Sequence, residues 1–108
     1  MRDNQQPVVT LLGDLIRIDS SNPDLVPGAP GESAIADHVT GWLASRGFEP
    51  QQLEGKPGRP SVVAISKGTG GGRSIMLNGH IDTVSLGSYD GDGLLPEHRD
   101  GNIYGRGA

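Results

Sequence analysis

The 108-residue sequence contains no cysteine and few large aromatic side chains: one Trp, one Phe and two Tyr. The lack of cysteine excludes disulfide bonds, cysteine-ligated zinc sites and thiol nucleophiles. Basic residues form no block, and 13 acidic residues outnumber 9 basic ones, so no nucleic-acid footprint is present. No apolar run approaches the roughly 18 residues of a membrane span. Because no targeting signal is evident either, we expect a cytoplasmic protein without nucleic-acid or membrane partners.

Glycine and proline are abundant by contrast, at 18 and 8 residues. A share this high approaches the level of low-complexity chains. Here, however, the glycines and prolines lie between distinct apolar runs, which is the arrangement of loops that connect helices and strands. We therefore predict a folded, turn-rich segment. Its hydrophobic core should be modest, because a domain of this length buries only roughly two thirds of its unfolded surface.

The first half of the sequence predicts two helices. Pro7 suits a first helical turn, and apolar residues follow at intervals of three and four, so we expect a helix from about residue 7 to 18. The members of this apolar stripe are Val8, Leu11, Leu12, Leu15 and Ile18. A second amphipathic helix is expected in ESAIADHVTGWLASRG, with Gly47 at a left-handed C-terminal cap. The intervening DSSNPDLVPGAPGE is typical of an exposed loop.

After Phe48 the pattern changes to that of strands. FEPQQLE predicts a short edge strand, and SVVAIS and RSIMLNGH predict two buried strands joined by a glycine-rich turn in KGTGGG. Further on, Asp100-Gly101 predicts a two-residue hairpin between short strands. Two helices followed by strands indicate an α/β protein in which helices cover a sheet. No internal repeat or domain boundary is visible.

Three short motifs resemble functional signatures but lack parts that the function requires. GTGGG lacks the Gly-Lys-Ser/Thr ending of a phosphate loop and precedes a strand where that loop opens a helix. DGDG at residues 90–93 is followed by leucines where a calcium loop needs an oxygen ligand and a glycine. HRD at residues 98–100 lacks the remainder of a kinase catalytic loop. We interpret the first two as turns, and we expect His38 and His98 to be surface residues.

His80 and Asp82 differ from these because they close an apolar run, in the segment GHIDTV. Residues two apart in a strand point to the same side, so the imidazole and the carboxylate should emerge together. Active sites of open α/β sheets collect at the carboxyl ends of strands, and a carboxylate beside a metal-bound imidazole fixes its tautomer. His-x-Asp is also a frequent tripeptide in which the histidine is only structural. The pair by itself leaves both interpretations open.

The wider context resembles a known family. LNGHIDTV, followed about twenty residues later by DGNIYGRGA, is similar to the paired signatures of a family of zinc-dependent hydrolases. That family includes acetylornithine deacetylase, succinyl-diaminopimelate desuccinylase, aminoacylase and carboxypeptidase G. The order of the other elements agrees: an amphipathic helix, a loop with Ser21-Asn22-Pro23, and a second helix that starts at Gly31-Glu32. The resemblance covers essentially all 108 residues.

The resemblance implies the N-terminal part of a helix-covered mixed sheet of the zinc-exopeptidase type, incomplete over residues 1–108. It implies His80 as the first metal ligand, and Asp82 as the catalytic carboxylate that orients this imidazole. The complete enzyme would use two zinc ions, with cobalt or manganese as possible substitutes, to hydrolyse the amide bond of an N-acyl amino acid or a peptide. It would also carry a dimerisation domain and form a homodimer. Arg106, in the glycine-rich turn, is expected to be structural.

The family's bridging aspartate, general-base glutamate and remaining metal ligands would follow Ala108. We therefore expect residues 1–108 to be a truncated portion of the catalytic domain, without the dimerisation domain, and inactive alone. A different hypothesis is a non-catalytic binding or interaction module in which His-x-Asp is incidental. A degenerate, truncated copy of the enzyme is a third. Family members commonly carry a Trp and an Asp-Pro-Phe where this chain has SLGSYDGDGLLPEH, which leaves the substrate open.

Overall fold

The computed structural model describes residues 6–108, which form two α-helices and two separate two-stranded antiparallel sheets. In chain order, the elements are α1 (Pro7–Arg17), α2 (Ser33–Ala44), β1 (Gln51–Leu53), β2 (Ser61–Val63), a short 3₁₀ turn (Leu86–Ser88), β3 (Glu97–Arg99) and β4 (Asn102–Tyr104). The predicted combination of helices and strands is confirmed, but these residues do not assemble one sheet covered by helices. Within the same range, neither helix combines the length and the apolar character needed to cross a membrane.

Helix α1 begins and ends close to the predicted residues. Pro7 occupies its first turn, where a missing amide proton costs nothing, and Arg17 lies in the last turn, where a positive charge is favourable. The burial of its side chains differs from the prediction. Ile16 is the deepest hydrophobic residue of the helix, at 3% exposure, whereas Val8 of the predicted stripe is 66% exposed. Ile16 is buried because the backbone of Gly105 packs against its side chain.

Helix α2 ends at a left-handed glycine, as the sequence predicts. Gly47 has a φ of +87°, and its amide donates to the carbonyl of Ala44 at 3.2 Å. The buried face of α2 carries Ile35 and Ala36, and the helix packs against the sheet formed by β1 and β2. Together with Ile16, these two residues are the buried hydrophobic side chains of the described range. The core is therefore as modest as the composition implies.

Both sheets are pairings of strands that are neighbours in the chain. Strand β1 runs antiparallel to β2, with Gln51 opposite Val63. Strands β3 and β4 form a hairpin whose turn residues, Asp100 and Gly101, have φ of +52° and +80°. Positive φ at both positions is the turn geometry that matches the twist of the flanking strands. The predicted two-residue hairpin is thus confirmed.

The buried strand predicted in RSIMLNGH does not form. Residues 73–80 have no strand pairing, and Ile75, Met76 and Leu77 are 86%, 82% and 90% exposed. A strand needs a neighbour for its backbone hydrogen bonds, and in the part of the chain that the structure describes β2 pairs with β1. The apolar composition of the run is therefore not sufficient to make it a strand. We refer to residues 73–79 below as the apolar run.

Candidate metal site

The segment after the apolar run pairs with the loop that follows α1. The Thr83 amide donates to the Ser20 carbonyl at 3.0 Å, and the Asn22 amide donates to the Thr83 carbonyl at 2.9 Å. These bonds form a parallel bridge between Ser21 and Thr83. The hydroxyls of Ser20 and Thr83, which lie 63 positions apart in sequence, are also within 3.0 Å of each other. Two distant stretches are thus held side by side immediately next to Asp82.

The ring of His80 faces two oxygen atoms of Asp82. Its Nδ1 is 2.9 Å from the Asp82 carbonyl oxygen and 3.2 Å from the carboxylate Oδ1. Both oxygens are acceptors, so the neutral imidazole carries its proton on Nδ1 and keeps the lone pair on Nε2. The side chain is 84% exposed, so the ring is accessible from solvent. The structure therefore brings the two candidate residues together, although the strand expected to carry them is not formed.

The second carboxylate oxygen of Asp82 is held by Asn22. The Asn22 side-chain amide donates from Nδ2 to Oδ2 of Asp82 at 2.8 Å. The amide oxygen of Asn22 accepts from the Asp24 backbone amide, also at 2.8 Å. Sequence reasoning identified Ser21-Asn22-Pro23 as part of the family resemblance but gave Asn22 no role. Its contact spans 60 positions, and no local pattern in the sequence could have shown it.

The guanidinium of Arg106 joins three stretches of the chain. Arg106 is 4% exposed, and its Nη1 donates to the Ser21 hydroxyl at 2.9 Å and to the Val84 carbonyl at 2.8 Å. Its Nη2 lies 3.4 Å from Oδ1 of Asp19. The planar, forked guanidinium can bond in several directions at once, so it fixes the loop after α1 against the segment that follows Asp82. These contacts give Arg106 a structural role at this junction.

Asp19 is ionised at neutral pH and completes this junction. Its partial burial raises the pKa, but hydrogen bonds from Ser21 and the positive charge of Arg106 outweigh burial and hold the pKa below its ordinary value. The two bonds from Ser21 come from its hydroxyl, at 2.6 Å, and from its amide, at 3.1 Å. The Asp19 carboxylate therefore fixes the backbone at the point where the chain leaves α1 and begins to pair with Thr83.

Two glycines of the YGRG turn let the backbone approach this junction. A Cβ on Gly105 would lie 2.7 Å from Cγ2 of Ile16, and a Cβ on Gly107 would lie 2.8 Å from Cγ2 of Thr83. Both distances are shorter than van der Waals contact, and Gly107 also has a φ of +81°. The turn thus packs directly against α1 and against the segment that carries Asp82.

Charged groups hold the C-terminal end of the loop between α1 and α2. The Gly31 amide donates to the Ser21 carbonyl at 3.1 Å, and the buried Glu32 accepts from Nε of Arg59 at 2.6 Å. Arg59 also pairs with Asp24 at 2.9 Å, and its hydrogen bond holds the pKa of Asp24 below the ordinary value. Because these acidic and basic groups compensate one another, the loop between α1 and α2 is fixed at both ends.

The other candidates from the sequence lie away from this site. His98 is exposed on β3, as predicted. His38 is half-buried, and its Nε2 is buried without a hydrogen-bond partner among the described residues, so the prediction of a solvated side chain is wrong. The helical pattern alone could not show how far packing would cover this position. DGDG is a turn, as predicted, in which the Leu94 amide donates to the Asp92 carboxylate at 3.1 Å.

Among the described residues, His80 has the chemistry expected of one ligand of a metal centre. The imidazole of His80 is a nitrogen donor of the kind that zinc prefers, and its Nδ1 is held by acceptors, as metal-bound histidines require. Within residues 6–108, however, no three His, Asp or Glu side chains are grouped so that they could hold an ion. Zinc sites take three or four protein ligands. These residues therefore provide an oriented imidazole but not a closed metal site.

The sequence is similar along nearly its whole length to several succinyl-diaminopimelate desuccinylases. It is 33% identical to the enzyme of Leptothrix cholodnii, covering 94% of this chain and 26% of the relative. It is 34% identical to the enzyme of Cupriavidus taiwanensis, covering 94% and 27%, and 32% identical to that of Ralstonia pickettii, covering 95% and 27%. The chain thus spans about a quarter of the length of the curated relatives it matches. No protein-family model and no solved structure matches it.

Proposed function

The chain belongs to the hydrolase family that includes succinyl-diaminopimelate desuccinylase, and from this membership we propose that it forms part of a metal-dependent enzyme that hydrolyses an amide bond. The observation that carries the proposal is the geometry of His80, whose Nδ1 faces two oxygens of Asp82 and whose Nε2 remains free to bind a metal. The relatives are named for desuccinylation. Their names favour removal of an acyl group from an N-acyl amino acid over cleavage of a peptide.

In this proposal His80 binds a metal through Nε2, and Asp82 holds the Nδ1 proton and raises the basicity of the ring. Two zinc ions, or cobalt or manganese in their place, would polarise the scissile carbonyl and activate a water molecule. Ser21 and Arg106 hold the backbone on which Asp82 sits. The proposed enzyme needs further metal ligands and a general base, because residues 6–108 group no three side chains that could hold an ion.

The proposal extends to the fold and assembly. We place residues 1–108 in the catalytic domain of a zinc-exopeptidase fold, as its N-terminal portion. The exposed apolar run supports this placement, because Ile75, Met76 and Leu77 have the composition of a covered strand but no covering partner within the described residues. A homodimer formed through a separate dimerisation domain, located in the cytoplasm, completes the proposed enzyme. The greater length of the relatives leaves room for such a domain.

A chimera tests the function directly. Residues 1–108 replace the aligned quarter of the Leptothrix cholodnii desuccinylase, and hydrolysis of succinyl-diaminopimelate is measured with and without zinc. We expect zinc-dependent hydrolysis that His80→Ala reduces by more than about 100-fold, since loss of even an outer partner of a metal ligand costs about 10–100-fold. His98→Ala is the matched control, because His98 is an exposed histidine on β3. It should retain the activity of the unsubstituted chimera.

Two results would count against the proposal. One is a folded chimera whose zinc content and activity are unchanged by His80→Ala. The other is a chimera with native circular dichroism that neither binds zinc nor hydrolyses the substrate, and this result would favour a non-catalytic binding module. Zinc content is measured separately from activity, so loss of a ligand can be distinguished from loss of substrate binding.

A further inference from the structure

We infer that Asn22 is a positioning residue for the proposed metal ligand, acting on His80 through Asp82. Its Nδ2 donates to Oδ2 of Asp82 at 2.8 Å, while Oδ1 of the same carboxylate lies 3.2 Å from Nδ1 of His80. The three side chains thus form a continuous series of contacts from the loop after α1 to the imidazole. The importance of these contacts for catalysis rests on the proposed function, whereas their effect on the imidazole does not.

The orientation of the Asn22 amide group is determined by its two partners. Its Oδ1 accepts from the Asp24 amide at 2.8 Å, and its Nδ2 donates to Asp82 at 2.8 Å. Exchanging the oxygen and nitrogen would place an NH₂ group against an N–H donor, and an oxygen against a carboxylate. Both contacts would then be repulsive. The amide therefore has one favourable orientation, and that orientation presents a donor to Asp82.

The backbone of Asn22 is also held in place before it contacts Asp82. Its amide donates to the Thr83 carbonyl at 2.9 Å, and the following Pro23 restricts Asn22 to extended conformations. This backbone bond holds Asn22 beside the residue that directly follows Asp82. The peptide that carries the Asp82 carbonyl is held by the bond from the Thr83 amide to the Ser20 carbonyl, at 3.0 Å. That carbonyl is the nearer of the two acceptors of Nδ1, at 2.9 Å. Asn22 therefore positions the carboxylate acceptor through its side chain, and its backbone bond to Thr83 holds it in place to do so.

The Asp82 carboxylate requires this support because it is not enclosed. Its side chain is 31% exposed, and rotation about the bond to the carboxylate carbon would otherwise turn Oδ1 away from the ring. With Oδ2 bonded to Asn22, rotation breaks a hydrogen bond to a charged acceptor. The Nδ1–H tautomer of His80, which leaves Nε2 as the metal-binding nitrogen, is thereby favoured over the Nε2–H tautomer.

The test uses two substitutions that keep the local turn and remove the donor. Asn22→Asp retains an oxygen that accepts from the Asp24 amide, and Asn22→Ser retains a shorter acceptor without adding charge. The tautomer of His80 is read from ring ¹⁵N chemical shifts of the metal-free 108-residue chain at about pH 8.5, well above the ordinary pKa of free imidazole. Asn102→Asp, at an exposed position on β4, is the matched control for the change of asparagine to aspartate.

We expect the Nδ1–H tautomer to predominate in the parent chain and in Asn102→Asp, and to lose population in both Asn22 variants. Zinc titration followed at the His80 ring should show about 10-fold weaker binding in the Asn22 variants, at the lower end of the effect of outer partners of a metal ligand. A purely structural role would leave the tautomer of the folded variants unchanged. Protection of the Thr83 amide against hydrogen exchange shows whether the loop after α1 still pairs with Thr83 in each variant.

An unchanged tautomer population in either folded variant would overturn the inference. If Asn22→Asp fails to fold, Asn22→Ser decides the question, because it introduces no charge beside Asp82. A different result separates this inference from the proposed function. If the tautomer responds to both substitutions but His80→Ala leaves the zinc content of the chimera unchanged, then Asn22 positions the ring as inferred and the metal-ligand role of His80 is wrong.

Discussion

At the scale of single residues, order around His80 depends on side chains that are far from it in sequence. Arg106 bonds to Ser21 across 85 positions, and Asn22 bonds to Asp82 across 60. The pairing of His80 with Asp82 could be predicted, because the two residues are two apart and carry complementary chemistry. The contacts that hold this pair could not be predicted, since neither asparagine nor arginine in a loop indicates which distant oxygen it will bond.

Arg106→Ala should lower the free energy of unfolding by about 2–3 kcal/mol, because hydrogen bonds to charged groups contribute about 1.5–3 kcal/mol and the removed guanidinium leaves buried acceptors unpaired. Urea denaturation followed by circular dichroism measures the change. Arg73→Ala is the matched control, because Arg73 is exposed in irregular chain, and its effect should remain within about 0.5 kcal/mol. Equal effects of the two substitutions would show that Arg106 does not anchor the junction.

The lowered pKa of Asp19 predicts that the free energy of unfolding decreases at acid pH. Its pKa is lower in the folded chain than the value of about 3.9 in an unfolded chain. The stabilisation from this carboxylate is therefore fully present above that value and is lost as the pH falls through the lower, folded pKa. The difference in free energy of unfolding between the chain and Asp19→Asn should be constant from pH 7 to about pH 5 and shrink toward pH 3. Urea titrations at each pH measure it, and a difference independent of pH would show that Ser21 and Arg106 do not stabilise the ionised carboxylate.

At the scale of elements, sequence signals that act on the adjacent backbone predicted the structure correctly, whereas the apolar pattern that predicted a strand in residues 73–80 did not. Pro7, Gly47 and the Asp100-Gly101 pair act on the backbone next to them, and each lies where the sequence predicts, at a helix start, a helix cap and a hairpin turn. The apolar run carried an equally clear pattern. A strand, however, also depends on a partner, and β2 pairs with β1 instead. The pattern of one segment does not show which neighbour will cover it.

The packing of the YGRG turn on α1 predicts a steric effect. Gly105→Ala should cost about 1–3 kcal/mol of unfolding free energy, the usual cost of overpacking, because the new Cβ would lie 2.7 Å from Ile16. Gly72→Ala is the control, since a Cβ at Gly72 meets nothing within 4 Å, and it should be neutral or slightly stabilising. Adding Ile16→Ala to Gly105→Ala should cost less than the sum of the two single effects. Strict additivity in urea denaturation would contradict this packing.

The apolar run predicts self-association of the purified chain. Its three large apolar residues are exposed, and its backbone pairs with none of the described strands, which is the condition under which segments aggregate through β-pairing. Met76→Lys should increase the monomer fraction in size-exclusion chromatography with light scattering. Leu25→Lys, which adds the same charge at an exposed apolar position outside the run, should have a smaller effect. A parent chain that is monomeric at all concentrations would refute the prediction.

At the scale of the whole molecule, the chain is more open than a self-sufficient domain. Its radius of gyration is 15.7 Å, against about 13 Å for a compact domain of this length. Its accessible surface is 7887 Å², against about 5,700 Å² for a compact protein of this mass. The exposed side chains of the apolar run contribute to this surface. An open fold of this kind can orient a few side chains locally, as it does at His80, but it does not surround a substrate.

The last prediction follows from this openness and from the missing ligands. The 108-residue chain should show no zinc-stimulated hydrolysis of N-acetyl amino acids above the rate of zinc alone, because one imidazole binds a metal only weakly and an active zinc site needs three or four protein ligands. The assay compares the chain with His80→Ala over a range of zinc concentrations. Zinc-stimulated hydrolysis that is lost in His80→Ala would contradict the prediction. Since no described group of side chains within one copy could complete the site, such activity would imply that further ligands come from another copy of the chain.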